Sequence, residues 1–210
     1  MGEPTETRAK LLDTASRLFA ARGIDNVSIA EIVRAAGQRN ASAVHYHFGN
    51  REGVLLALLE RHIPTIAERR RELLEVARQR PVSDRRAAAE AIVRPVTEFA
   101  QRGWRERAYL QIGSELADVP HRQTPAIREL LRHTAGHEAW DLMRSRCPKV
   151  PEDLWMERQQ LCIVFIGRAA AGRARLLDAR GKHRVLSDDA FVDNLVDMVL
   201  GAMTARHRGR

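Results

Sequence analysis

The stretch Leu11–Glu60 reads LLDTASRLFAARGIDNVSIAEIVRAAGQRNASAVHYHFGNREGVLLALLE. Leu11, Leu12, Ala15, Leu18 and Phe19 recur at helical spacing, so they share one face of a helix predicted over 7–22. Gly23 stops it, because glycine enters the left-handed region cheaply. Ser28 followed three residues later by Glu31 is a capping box, in which each side chain satisfies the other's free N–H. It opens a second helix whose apolar face is Ile29, Ile32 and Val33, ended by Gly37. A short third helix is predicted over 41–48, with Gly49-Asn50 as stop and cap. A fourth runs over 51–62 through Val54, Leu55, Leu58 and Leu59. Three short helices, the last two joined by a Gly-containing turn, form a helix-turn-helix pattern. The third helix is too short to act as a packing element alone, which leaves its outer face free for a major groove.

Helical periodicity continues downstream. Pro64 predicts a kink or break, since proline removes a backbone donor and crowds the preceding turn. Further helices are predicted over 65–79 and from Ser83 or Asp84 to 101, the latter bent at Pro95. They continue over 104–118, 124–146 (Thr124 as cap, Pro125 in the first turn), 151–180 as the longest, and 188–205. No strand pattern interrupts them. The expected fold is all-α with nine or ten helices. It divides into a helix-turn-helix domain over 1–50, a connector helix over 51–62 and a larger domain over 63–210.

Composition agrees with helices: aromatic residues are only 5%, while the low-penalty helix formers Ala, Leu, Arg and Glu abound. The net charge of +8 suits a polyanionic partner, but residues 1–62 hold eight Lys and Arg against seven Asp and Glu. Most of the excess lies downstream, so charge does not mark the binding domain. Cys147 and Cys162 are the only cysteines and lack metal-type spacing, which reads as free thiols in a reducing cytosol. The start MGEPTETRAK is too polar for a signal peptide, and Glu6 stands where acylation needs Ser or Thr. The longest apolar run, Leu161–Ile166, is far too short for a membrane span. A soluble cytoplasmic protein without a membrane partner is expected.

Residues 11–60 closely resemble the DNA-binding domain of TetR-family regulators. The resemblance rests on the LF-x-x-R-G end of the first helix, the Ser28 start of the second and the A-A-G turn. It continues with Y-H-F closing the third helix and a basic residue then Glu opening the fourth. It implies a regulator, most readily a repressor, that binds a palindromic double-stranded operator as a homodimer and is released by an unidentified small-molecule effector. Arg39, Asn40 and Ser42 begin the third helix, where side chains reach base edges, and Arg39 suits guanine. His45, Tyr46 and His47 are placed for phosphate or thymine-methyl contacts, one histidine facing the core. Ser28 and Arg51, at helix starts, are expected to hold phosphates. Between Gly37 and Phe48 the chain has one residue more than the commonest family pattern, so aligning from Phe48 puts His45 where the family has Tyr. Either His45 or Tyr46 can therefore be the groove-facing residue.

Two further features concern the larger domain. Gly167, Ala170, Ala171 and Ala174 put small side chains on one side of a helix, as close helix–helix approach requires. With Phe191, Leu195, Val199 and Ala202 on the last helix they are the expected dimer interface, built as a four-helix bundle. Trp104, Tyr109, Trp140, Met143 and Phe165 are the large groups from which an apolar ligand pocket is drawn. Glu129, His133, His137 and Asp141 fall on one stripe of the predicted 124–146 helix. Apolar residues lie opposite, so a solvated stripe is preferred to a metal site. No cofactor and no metal are expected. The absence of a Gly-rich phosphate loop, GxSxG or HExxH argues against an enzyme.

Overall fold

A computed structural model describes residues 4–38, 42–118, 123–179 and 186–207. Ten α-helices and one 3-10 turn make up these residues, with no strand among them. Helices α1 (Pro4–Arg22), α2 (Ile29–Ala35) and α3 (Ser42–Phe48) form the N-terminal unit. The body comprises α4 (Arg51–Arg78), α5 (Arg85–Thr97) with the 3-10 turn Glu98–Gln101, α6 (Trp104–Asp118), α7 (Pro125–Arg132), α8 (Gly136–Arg146), α9 (Glu152–Asp178) and α10 (Asp188–Thr204). The all-α expectation therefore holds.

The N-terminal unit follows its local signals closely. The Ser28–Glu31 capping box is present, with Ser28 Oγ accepting from the Glu31 N–H and Glu31 accepting from the Ser28 N–H at 2.8 Å. Gly23, Gly37 and Gly49 all have positive φ, at 87°, 68° and 73°, the region a Cβ disfavours. Leu12, Phe19, Ile32, Val33 and Val44 meet in one buried cluster. That cluster does not stop at the unit's edge. It runs on through Leu59, Phe99, Tyr109 and Leu116, so α1–α3 sit directly on the body.

Three helix boundaries depart from the sequence reading. Pro64 does not break the chain: α4 is one helix of 28 residues, ~42 Å long at 1.5 Å per residue. Pro64 is exposed while His62, Ile63, Ile66 and Ala67 are buried, so the packed face of α4 continues past it and the lost hydrogen bond falls on the solvent side. At 28 residues α4 is also longer than α9, which has 27. Finally, the helix expected over 124–146 is two. Ala135, left-handed at φ 55°, separates α7 from α8, and the stripe Glu129–His133–His137–Asp141 loses its common face. Among the described residues no group of three His, Cys, Asp or Glu could hold a metal ion.

The second core lies among α5, α8, α9 and α10, and it corrects the expected dimer interface. Leu195 and Val199 are buried within the single chain among Ala88, Ala89, Ile92 and Val93. Ala170, Ala171 and Ala174 are wholly buried as well, and a Cβ on Gly167 would come 3.7 Å from the Ser114 Cα. The small-residue stripe brings α9 against α6 of the same chain, so these residues are not offered to a second copy. What α9 leaves outside is Leu161, Phe165 and Leu176, and α10 leaves Met198 and Ala202. Phe191 is half-buried, with the Arg173 guanidinium over its ring at 5.2 Å. Both cysteines are free, Cys162 buried against the Met203 sulfur at 3.7 Å. Among the described residues no helix is long and apolar enough to cross a membrane.

Candidate nucleic-acid interface and body cavity

Register along α3 is set by Val44, which is completely buried. Successive helical residues advance by 100°, so Val44 inward turns His45 and Tyr46 outward. Tyr46 is the most exposed large hydrophobic side chain among the described residues, at 81%. His45 is exposed too, but its Nδ1 lies 2.6 Å from the Gly49 carbonyl, which commits the ring to closing the helix. His47 and Phe48 are half-buried and stacked at an angle, with Arg8 over the Phe48 ring at 5.1 Å. Of the two aromatic alternatives the sequence left open, Tyr46 is the one not tied to the helix end; its ring stands edge-on to His47 with centroids 4.9 Å apart. Arg39 and Asn40 lie outside the described residues, and of Ser42 only its place at the start of α3 is described.

Two expected phosphate contacts fare differently. Ser28 is exposed at the α2 N-terminus, its hydroxyl already shared with Glu31. Arg22 pairs with the same carboxylate at 2.8 Å, and these bonds hold Glu31 down to a pKa of about 2. Arg51 is turned inward: its guanidinium lies over the Phe19 ring at 5.7 Å and Nη2 is buried without a partner. In its place the structure exposes Lys10, whose Nζ lies 3.7 Å from where a Gly37 Cβ would stand, beside the α2–α3 turn. Sequence reasoning passed over Lys10 because it sits on α1, remote in sequence from the turn it borders. It also passed over Gly53. A Cβ there would fall 1.8 Å from the Phe48 carbonyl oxygen, so only glycine lets α4 start against the end of α3.

The unit is gripped from below by α6. Arg105 donates to Asp13 through Nε at 2.9 Å, and Arg61 of α4 shares that carboxylate at 2.6 Å. Glu115 accepts the Ile24 N–H at 3.0 Å, reaching into the α1–α2 loop. Trp104 lies under Arg17 of α1 at 4.1 Å, so this residue belongs to the junction.

On its inner side α6 lines a cavity of about 470 Å³ among α4, α5, α7, α8 and α9, within the ordinary range of small-molecule sites. Tyr109 and Trp140 line it, as the sequence reading placed them. Met143 does not, being buried in the second core, and Phe165 points outward at 37% exposure. The polar groups of the wall went unrecognised: Arg70, Ser114, Gln159 and Gln160. They come from three separate helices, which no local pattern connects.

These features have counterparts among known proteins. Residues 11–58 match the model of bacterial regulatory proteins of the tetR family. The HTH-type transcriptional repressor AcnR of Corynebacterium glutamicum is 33% identical over 66 residues, 31% of this chain and 35% of its own. The HTH-type transcriptional activator FasR of Mycolicibacterium smegmatis is 27% identical over 143 residues, 64% of this chain and 63% of its own. The matched stretch is thus only about a third of AcnR's length. Over the whole chain the likeness is one of fold. The ketosteroid transcriptional regulator KstR2 of Mycobacterium tuberculosis superposes with TM-score 0.61 at 16% identity, covering 95% of each chain. The regulator FadR of Bacillus subtilis, solved with stearoyl-CoA, does so with TM-score 0.59 at 14% identity, covering 95% of this chain and 99% of its own. By sequence the N-terminal unit, over residues 11–58, is that of the bacterial regulatory proteins of the tetR family, and over its full length the chain shares the fold of these regulators.

Proposed function

We propose that this cytoplasmic protein is a transcriptional repressor that binds a palindromic operator as a homodimer and lets go of it when a small molecule fills the body cavity. The single observation that carries this reading is the double duty of α6. Tyr109, Gly113 and Ser114 line the cavity, while Trp104, Arg105 and Glu115 of the same helix hold α1 and the α1–α2 loop. A ligand that displaces α6 must move or loosen the reading unit. Thermodynamically it needs only to prefer the DNA-incompetent state, with a usual coupling of roughly 1–3 kcal/mol acting equally on both affinities. This route runs through α6 at least as directly as through α4, and no break at Pro64 is needed as a lever.

On DNA, Arg39, Asn40, Ser42 and Tyr46 read the major groove, and Ser28, the α2 amides and Lys10 hold phosphates. One such helix contacts too few base pairs for genomic specificity, so two half-sites are required. The outward residues Leu161, Phe165 and Leu176 of α9 and Met198 and Ala202 of α10 form the pairing faces. The relatives support regulation but include both a repressor and an activator, so the sign rests on release by ligand. Binding of stearoyl-CoA by the Bacillus subtilis neighbour supports the body as a ligand site. The test is fluorescence anisotropy on DNA from immediately upstream of the protein's own gene. Specific binding with dimer stoichiometry is expected, weakened by cavity ligands. Glu115→Gln should keep operator binding but blunt the ligand response. A protein that binds no upstream DNA specifically refutes the reading.

A further inference from the structure

Among the described residues three arginines are buried in the body, and two of them have evident partners. Arg173 pairs with Asp188. Arg146 donates to the carbonyl oxygens of Ala77, Arg80 and Asp84, at and beyond the C-terminal end of α4, where the helix dipole is negative. Arg70 differs. It is 6% exposed, and its Nε donates to the Ala91 carbonyl at 3.3 Å and its Nη1 to the Thr134 carbonyl. No carboxylate pairs with it among the described residues; a lone buried charge of this kind is costly unless something neutralises it. Burial alone pulls its pKa down to about 10.

Arg70 lines the cavity, and its neighbours there share its character. Ser114 Oγ is buried without a hydrogen-bond partner, in a residue only 4% exposed, on the same wall. The Tyr109 phenol lines it too, held neutral by burial that lifts its pKa to about 12. Arg128, Arg132 and His137 also line the cavity, whereas no Asp or Glu does. The rest of the wall is apolar, with Ile66, Ile92, Val96, Leu110, Ile163 and Ile166. The wall therefore offers a buried cation that no carboxylate pairs among the described residues and a buried hydroxyl without a partner, set into a hydrocarbon surface.

We propose that the cavity binds an organic carboxylate with an apolar body, its anionic end held by Arg70 with Ser114 and Tyr109 as further donors. The inference rests on the effector reading only for its consequence at DNA. Charge-assisted bonds from a guanidinium to a carboxylate are the strong kind, and here they would form away from water. The remaining length of such a molecule is buried against the isoleucines. A cationic amphiphile meets Arg70 head on, and a neutral ester supplies no countercharge.

Calorimetry on the full-length protein at pH 7.5 with decanoate, methyl decanoate and decylamine tests this. Decanoate should bind at least about tenfold more tightly than the ester, and decylamine should not bind. Arg70→Met should remove that preference while leaving ester binding in place. Because Arg70 also ties α4 to α5 and to the α7–α8 turn, that variant can fail to fold, and the ranking on the wild type then decides alone. Equal binding of acid and ester, preference for the amine, or no binding of any of the three overturns the proposal. Operator anisotropy with the same compounds separates the two readings. Decanoate bound tightly with operator affinity unchanged upholds the carboxylate site and removes the effector role. An ester that binds as well as the acid and releases operator removes the carboxylate site and leaves the effector role standing.

Discussion

The reading unit and the body bury their apolar residues under different rules. In α1–α3 each helix is closed by its own neighbours in sequence: Ser28 by Glu31, α1 by Gly23, α3 by Gly49 and by His45 on the Gly49 carbonyl. In the body the burying partner is remote. Leu195 and Val199 of α10 are covered by α5, about a hundred residues earlier, and Arg86 and Arg94 reach across to Asp193 to pin the two helices. An apolar stripe announces that a face is covered and is silent about what covers it. The stripe Leu195–Val199 was therefore read as a surface for a second copy when a single chain already fills it.

The largest effect should come from reversing that reading. Val199→Asp places an unpaired carboxylate in a site with no solvent access, a change of several kcal/mol on the scale of buried unpaired charges. The body should lose its cooperative melt, seen by circular dichroism. Phe165→Asp, on the outer face of α9, should instead give a folded monomer by light scattering with weakened operator affinity. A Val199→Asp protein that melts normally as a monomer would restore the stripe as the pairing surface.

What the sequence disclosed follows the same division. All the elements, the capping box and the three glycine turns of the N-terminal unit were legible, because each is encoded within a few residues. The register of α3 was not, since the extra residue before it leaves the phase ambiguous until Val44 is seen to be the buried position. In the body, helix positions were legible from proline and glycine punctuation, with the split missed although Gly136 adjoins it, because the left-handed residue is the alanine before that glycine, which carries no such signal. Tyr109 and Trp140 could be assigned to a cavity by size alone. Arg70 could not, because an arginine in a run of five charged residues reads as solvated until tertiary packing shows otherwise.

A second break in the comparison targets the seam. Gly53→Val would thrust side-chain carbons into the Phe48 carbonyl, forcing α3 away from α4. Operator binding should fall by at least about tenfold. The body's main melt should move far less, since its second core contains no residue of α3. Equal loss of both would mean the two regions fold as one unit.

The smallest effect at neutral pH, and the most informative about the seam, concerns His62. It lies on α4 beneath the reading unit, between the rings of Phe99 at 5.5 Å and Tyr109 at 5.3 Å, with Nε2 buried and unpartnered. Burial outweighs the attraction of Glu106 and lowers its pKa from 6.5 to about 4. The ring is therefore neutral at pH 7, and its 4.0 Å approach to Glu106 is no ion pair there. In the unfolded chain His62 takes up its proton near 6.5, whereas in the fold it does so only near 4. Between those values the unfolded state binds more protons, so stability falls as pH falls, while above the unfolded value His62 adds no slope. The full shift corresponds to an upper bound of roughly 3 kcal/mol, reached only below the folded value. Replacing the ring with His62→Phe should flatten that part of the stability–pH curve between 6.5 and 4, read by urea melts at successive pH values. The aromatic cage should accept the similar ring with little change at pH 7. If the wild type and the variant lose stability in parallel down to pH 4, His62 is solvated in the working protein, and the seam between reading unit and body is looser than its packing indicates.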